Sequence, residues 1–214
     1  MRLPLFLFLS LVGSPALFAS EALAAEGTDG AYGRLQGDLT LVAGVGGVAA
    51  PRGPRGEGEL RVRYLESVGV FGSYEDGALF GSGAEPRRVV TAGAEVRPFF
   101  LGRWLTGREA HRARFDLVLD SVGLELAAVW SQPAGASFGH DVGMQAGLAV
   151  EVPIVGDATG PWLGIHGGLR WSEQEFGSGR ASDADDRGAY LAITLAWHQV
   201  VVAHVVDAGD EAPR

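Results

Sequence analysis

Glu59-Leu60-Arg61-Val62-Arg63 places one acid and two guanidinium groups on alternate residues, with apolar side chains between them. In an extended strand that spacing sets all three charges on one face. The same arrangement recurs with Glu95 and Arg97 around Val96, Glu151 between Val150 and Val152, and His166 and Arg170 opposite Leu163, Ile165 and Leu169. Arg34 and Asp38 share a parity with Gln36 and Thr40, and Asp116 shares one with Asp120. Acids, arginines and a histidine are the types that perform proton transfer or ligand binding, but opposite signs on facing strands also neutralise one another. In a narrow interior an unpaired charge is costly, so these residues are expected to form an ion-paired network rather than a conducting or catalytic site. His166 could be a base or a ligand; a lone histidine on a polar strand face reads as a member of that network.

Two further motifs carry less. Asp183-Ala184-Asp185-Asp186 has the carboxylates of a Ca²⁺ loop, yet Arg187 stands where the third acid should be and Thr194 where the closing glutamate should be. It reads as a solvated outer loop. Gly44-Val45-Gly46-Gly47-Val48-Ala49 fits a degenerate dinucleotide pattern, which needs a helix to follow; Pro51 and Pro54 oppose that helix. No catalytic residue, cofactor or metal is therefore expected.

The elements that must position the charges are strands. Turn signals at Pro51-Arg52-Gly53-Pro54, Asp76-Gly77, Gly81-Ser82-Gly83, Gln132-Pro133-Ala134-Gly135, Gly156-Asp157 and Gly177-Ser178-Gly179 divide the chain. Between them lie eight expected strands, near 33–48, 57–66, 68–75, 88–99, 113–130, 141–154, 161–172 and 188–199. A phase shift in the fifth, where Glu125 breaks the parity of Asp116 and Asp120, suggests a bulge near Gly123. No helix of 3.6-residue period is expected beyond the N-terminal segment. An even number of antiparallel strands can close on itself and remove its edges, so the expected fold is all-β: a closed up-and-down barrel of eight transmembrane strands.

Composition agrees with export. Arg2, an apolar run from Leu3 to Phe18 broken by prolines, and Ala22-Leu23-Ala24-Ala25 have the form of a cleaved signal. Residues 1–24 are thus expected to be a signal peptide, 25–200 the barrel and 201–214 a polar tail. Cysteine is absent, so no disulfide holds the fold. The net charge of −9 excludes a nucleic-acid partner, whose phosphates need a basic face.

Aromatic residues fall near the strand ends. Tyr32, Tyr64, Phe99, Phe100, Phe115, Trp162 and Trp197 are expected on the inner side, and Tyr74, Trp130, Trp171 and Tyr190 on the outer side. They would make two girdles at the lipid headgroups. The nine steps from Trp162 to Trp171 rise about 23 Å at ~3.3 Å each and ~40° tilt, close to the apolar band of such a barrel. The two have opposite parity, so one must sit at a rim, across a bulge or inward. Leu101-Gly102-Arg103-Trp104-Leu105-Thr106-Gly107-Arg108 forms a long inner-side connection, read as an interfacial anchor with a plug as the alternative.

On these features the chain resembles the small eight-stranded outer-membrane β-barrels of Gram-negative bacteria, the OmpA/OmpX-like group. Arg187-Gly188-Ala189-Tyr190-Leu191-Ala192-Ile193-Thr194-Leu195-Ala196-Trp197 looks like that group's terminal assembly signal, although residues through Arg214 follow it. The resemblance implies outer-membrane lipid and the barrel-assembly machinery as partners. It also implies a structural or surface-recognition role, with a surface ligand met by outer loops near 50–56, 76–87, 132–140 and 173–187. Two rivals are a lipid-modifying enzyme on the same fold and a soluble periplasmic barrel that carries an apolar ligand. A similar lipid A deacylase family uses a His-x-Ser pair, and His111, His140, His166, His198 and His204 all lack that serine.

Overall fold

Eight antiparallel strands, each hydrogen-bonded to its chain neighbour, close into a barrel when the last pairs with the first. The computed structural model describes residues 31–81, 83–138, 142–171 and 188–203. The expected signal, the Gly177–Gly179 turn, the aspartates at 183, 185 and 186, His140, His204 and the tail from 204 onward lie outside them. The strands are β1 Leu39–Ala49, β2 Arg55–Tyr64, β3 Val68–Asp76, β4 Arg88–Val96, β5 Gly123–Gln132, β6 Gly143–Pro153, β7 Gly160–Trp171 and β8 Gly188–Val201. Closure runs from Leu39 opposite Val201 to Ala49 opposite Leu191. The Gly44 to Ala49 motif lies wholly within β1.

Alternation in sequence becomes alternation in burial. Along β8, Tyr190, Ala192, Thr194, Ala196 and His198 are buried, while Leu191, Ile193, Leu195 and Trp197 are exposed. The exposed residues are the large apolar ones, so this barrel faces its apolar side outward. Inward positions divide the labour. β2 sends in Arg55, Glu59, Arg61 and Arg63, whereas β7 and β8 send in Gly164, Gly168, Ala192 and Ala196. Small residues on one wall leave space for the long arginines of the other, as an eight-stranded lumen requires. At Gly93 and Gly168 any side chain would run into the backbone of the adjacent strand, at Leu126 and Ala146 respectively.

Two expected strands are shorter than their alternation suggested. β1 begins at Leu39, and residues 31–38 form turns instead, with Arg34 N donating to Ala31 O and Gln36 N to Gly33 O. Tyr32 and Gly33 take left-handed backbone, at φ 50° and 85°, which no strand adopts. The larger correction is at 113–130. Its first half is helical, and the expectation of no helix fails. α1 spans Phe99–Leu105 and α2 spans Ala113–Asp120, both in the connection between β4 and β5. Asp116 takes the amides of Ala110 at 2.9 Å and of the N-cap Arg112 at 3.1 Å, which ties the chain just before α2 to its first turn. The expected bulge near Gly123 is the junction where α2 ends at Ser121 and β5 begins.

The 3–10 turn Gly77–Phe80 is the other short element. It lies at the barrel end opposite both described chain ends, called here the far end; the connection carrying α1 and α2 lies at the near end.

Candidate functional site

The lumen is the densest concentration of chemistry in the chain, and it is arranged in tiers. In the middle, Arg61 donates to Glu59 at 2.8 Å, Glu95 at 2.8 Å and Glu125 at 2.6 Å. Its guanidinium also lies 3.1 Å from His166 Nδ1 and over the Phe71 ring, 4.8 Å from the centroid. His166 Nδ1 stands 3.0 Å from Glu125. One guanidinium thus ties together side chains from five strands. Gly164 is required beside them, because a side chain there would lie 2.5 Å from Thr194 Oγ1 and 2.7 Å from His166 Nε2.

Toward the far end, Glu75 is the shared acceptor. Arg55 donates to it at 2.8 Å, and Arg170 grips it through both terminal nitrogens while its Nε donates to Gln145 at 2.6 Å. The Arg170 guanidinium lies 4.4 Å from the Tyr190 ring centroid. Toward the near end, Glu151 takes that role. Arg63 donates to it at 2.6 Å and also pairs with Glu95. Arg97 Nη2 stands 2.6 Å from Glu151 in an ion pair that lacks hydrogen-bond angles, and Arg97 also pairs with Glu66 at 3.6 Å. His198 Nε2 lies 3.5 Å from Glu151.

The near end is closed by the helical connection. Arg34 donates to Asp120 at 2.5 Å and stacks 4.0 Å over the Phe100 ring. Arg103 pairs with both Asp116 and Asp120. Tyr32 donates its hydroxyl to Asp116 at 2.9 Å. Ser121 Oγ joins this plug to the barrel wall through the Glu151 carbonyl at 2.7 Å.

Burial alone would raise the Asp116 carboxyl, but the Ala110 amide, Arg103, Tyr32 and the Arg112 amide outweigh it and hold the carboxyl below its usual range. Burial, reinforced by Asp116, pushes the Tyr32 phenol up to about 12.

Of the charges expected inward, Glu59, Arg61, Arg63, Glu95, Arg97, Glu151, His166 and Arg170 lie in the lumen tiers. Arg34 and Asp116 are buried in the plug, not on strand faces, because the segments that carry them turn or coil. Asp38 is a correction: it precedes β1 and sits partly exposed at the near rim, accepting the Ala203 amide at 2.6 Å. Glu75, Arg55, Glu125, Gln145, His198, Asp120 and Arg103 complete the arrangement. Arg55 shares the parity of Glu59, Arg61 and Arg63, which is the signal that could have found it; Glu75 has only Asp76, of opposite parity, as a charged neighbour on β3.

The aromatics divide. Tyr64, Tyr74, Trp130, Trp171 and Trp197 stand on the outward face near strand ends. Phe99 and Phe115 are exposed on α1 and α2, and Tyr32 belongs to the plug. Phe100, Trp162 and Tyr190 are corrections, since all three are buried. Phe100 supports Arg34. Trp162 stacks on His198 with centroids 4.6 Å apart and donates to Ala158 O at 3.2 Å. Tyr190 supports Arg170. Each ring covers a cationic or polar group that would otherwise face a less complementary wall. In the 101–108 connection, Arg103 reaches into the plug while Leu105 is exposed, so the segment supplies the plug expected there as the alternative.

Against known proteins, no family model matches the chain and no curated protein matches its sequence.

Arg61→Met should destabilise the barrel by about 3–5 kcal/mol, because three buried carboxylates lose their common partner. Thermal unfolding checks this, and adding Glu125→Gln should recover part of the loss; an unchanged midpoint would remove Arg61 from the network's stability. The plug should respond at both ends of the pH scale. The Asp116 contribution is complete above the ordinary aspartate value of ~3.9 and fades as pH falls through its lowered value. The Tyr32 contribution is complete below the ordinary phenol value of ~10 and fades as pH rises through about 12. Fluorine NMR of fluorotryptophan at Trp104 should report opening at both extremes, with Asp116→Asn removing the acid limb and Tyr32→Phe the alkaline one. An acid limb unchanged in Asp116→Asn would refute the assignment.

Proposed function

We propose that the protein is a small outer-membrane barrel of the OmpA/OmpX-like kind, sealed in its lumen, with a structural or recognition role carried by its far-end loops. One observation supports this above the rest: the polarity of the barrel is inverted. Val45, Leu60 and Val70 on the outside are 66%, 68% and 61% exposed, while Arg63, Glu75 and Glu95 inside are 0%, 0% and 1% exposed. Leu126, Leu148, Ile165 and Leu195 continue the apolar surface around the barrel.

A soluble barrel does the reverse, with its apolar face inside and its polar face wet. Water would meet a contiguous apolar belt here, a kind of surface that soluble monomers rarely expose. Lipid is the solvent that such a surface fits. The outward aromatics Tyr64 and Trp197 at the near end, and Tyr74, Trp130 and Trp171 at the far end, have the positions of interfacial girdles. The soluble-carrier reading needs an apolar lumen, which this barrel lacks.

The pairing inside the lumen supports the reading of a sealed, non-enzymatic barrel. Apart from Glu57, whose Oε2 is buried without a hydrogen-bond partner among the described residues, its acids and arginines are engaged with one another, which supports a bracing role rather than one in binding a substrate. The plug of α1, α2 and Arg34 closes the near end. What remains to meet other molecules is the set of far-end connections. This reading carries with it export by a signal peptide, insertion by the barrel-assembly machinery, and surface ligands met by those loops.

Outward mid-barrel positions give the test. Leu148→Arg or Ile165→Arg should each cost ~2–4 kcal/mol of barrel stability in lipid, seen as loss of the heat-modifiable folded band. A mature protein that stays soluble without detergent, and accepts Leu148→Arg without loss, would overturn the reading.

A further inference from the structure

The far girdle has a gap in its series. Tyr74 on β3, Trp130 on β5 and Trp171 on β7 set one outward aromatic near the far end of every second strand, and the next in that order around the closed barrel is β1. β1 instead ends outward in Val45, Gly47 and Ala49, and β2 begins outward with Gly56 and Gly58. Gly47 and Gly56 stand directly opposite one another in the ladder, so their two missing side chains make a single notch in the outer wall. Strand glycines of this kind mark a place where another part of the chain comes close.

The connection from β3 to β4 fills the notch. Its turn, Gly77–Phe80, folds outward and back over β1 and β2, so that any side chain at Gly56 would collide with Leu79 and one at Gly47 would begin 3.8 Å from Phe80 Cζ. Leu79 and Phe80 nonetheless remain 74% and 58% exposed. Their height is that of the girdle, because Gly56 pairs with Asp76, two residues beyond Tyr74.

The turn is fixed in this position by its polar groups. Asp76 accepts the Ala78 amide at 2.8 Å and caps the turn, and the same carboxylate takes Arg88 at 3.0 Å and the Tyr74 hydroxyl at 3.1 Å. Gly77 N donates to Arg87 O at 2.8 Å. Farther along, Glu85 N donates to Arg52 O at 3.1 Å and the Glu85 carboxylate accepts the Ala134 amide at 3.2 Å, which ties this connection to those between β1 and β2 and between β5 and β6. Those groups are occupied within the protein, and Leu79 and Phe80 are left facing outward.

We infer that Leu79 and Phe80 form a hook seated in lipid, among acyl chains just below the headgroups, with Phe80 supplying the girdle aromatic that β1 lacks. The inference rests on the membrane reading above and narrows it: the β3–β4 connection is held against the membrane, and recognition falls to the other far-end connections. The occupant is argued from continuity with the apolar belt. Gly47, under Phe80, pairs across the barrel seam with Ile193, which is exposed on the same face, and Val45 follows below it. Side chains at this height and on this face meet the boundary between headgroups and hydrocarbon, where aromatic residues are enriched. A protein partner at the hook would have to displace lipid from the belt around it.

The test uses the full chain in phosphatidylcholine vesicles, with a nitrobenzoxadiazole fluorophore placed singly through Phe80→Cys or, in the middle of the belt, Leu148→Cys. Lipid brominated high on its acyl chains should quench the label at 80 more than lipid brominated near the chain ends, and the order should reverse at 148. Gly56→Leu, which evicts Leu79 from the notch, should abolish quenching at 80 and leave that at 148 unchanged. Quenching at 148 with none at 80, or quenching at 80 that survives Gly56→Leu, would overturn the hook and leave the barrel reading intact. Absence of quenching at 148 would overturn the membrane reading and the hook with it.

Discussion

A carboxylate or guanidinium removed from water costs several kcal/mol unless an opposite charge and hydrogen-bond partners come with it, and a closed ring of eight strands has space inside for little else. Arg55, Arg61, Arg63, Arg97 and Arg170 are all nearly or largely buried in that space, and each has a glutamate within ion-pair distance. Pairing of every buried guanidinium with a carboxylate is therefore the condition under which the barrel can close. Glu75, Glu95 and Glu151 satisfy more than one arginine apiece, so the tiers cannot be assembled strand by strand. β2 supplies most of the arginines together with Glu59, while Glu75, Glu95, Glu125 and Glu151 arrive from β3, β4, β5 and β6.

The same constraint explains the composition of the remaining wall. Long side chains need short ones among them, and β7 and β8 set Gly164, Gly168, Ala192 and Ala196 inward between His166, Arg170, Tyr190 and His198. Three of the buried aromatic residues lie against charge, Phe71 under Arg61, Tyr190 under Arg170 and Phe100 under Arg34, while Trp162 stacks on His198. At the near end, Arg34 and Arg103 meet Asp116 and Asp120, so the plug is neutral on its own terms and seals the lumen without drawing on its partners. The outward surface is left free to be uniformly apolar, which is where the lipid reading finds its support.

Much of this was legible from alternation. The parity of Glu59, Arg61 and Arg63 against Leu60 and Val62 gave the inward face of β2, and that of Leu191, Ile193 and Leu195 gave the outward face of β8. Ala113–Asp120 was not legible, because Phe115, Leu117 and Leu119 alternate as well as any strand and no Ser, Thr or Asp stands at the start to announce a helix. Its start is held from within, through Asp116, and only the tertiary pairing with Arg103 and Tyr32 makes that stable. Trp162 and Tyr190 were misplaced for a different reason. Residue type suggested an interface, while parity placed Tyr190 with Ala192 and Thr194 on the inward face. Where type and parity disagreed, parity won, since a two-residue period leaves a strand no choice of side.

The barrel's inverted polarity is most directly tested by nitroxide labels placed at residues 191, 193, 195 and 197, all outward on β8 and therefore harmless to the lumen. The chain has no cysteine, so each introduced label is unique. In bilayers, collision with oxygen should dominate over collision with a water-soluble nickel chelate at 191, 193 and 195, with greatest depth at the middle of the strand and a shallower value at 197. Free access of the nickel chelate at all four positions would contradict the inverted barrel.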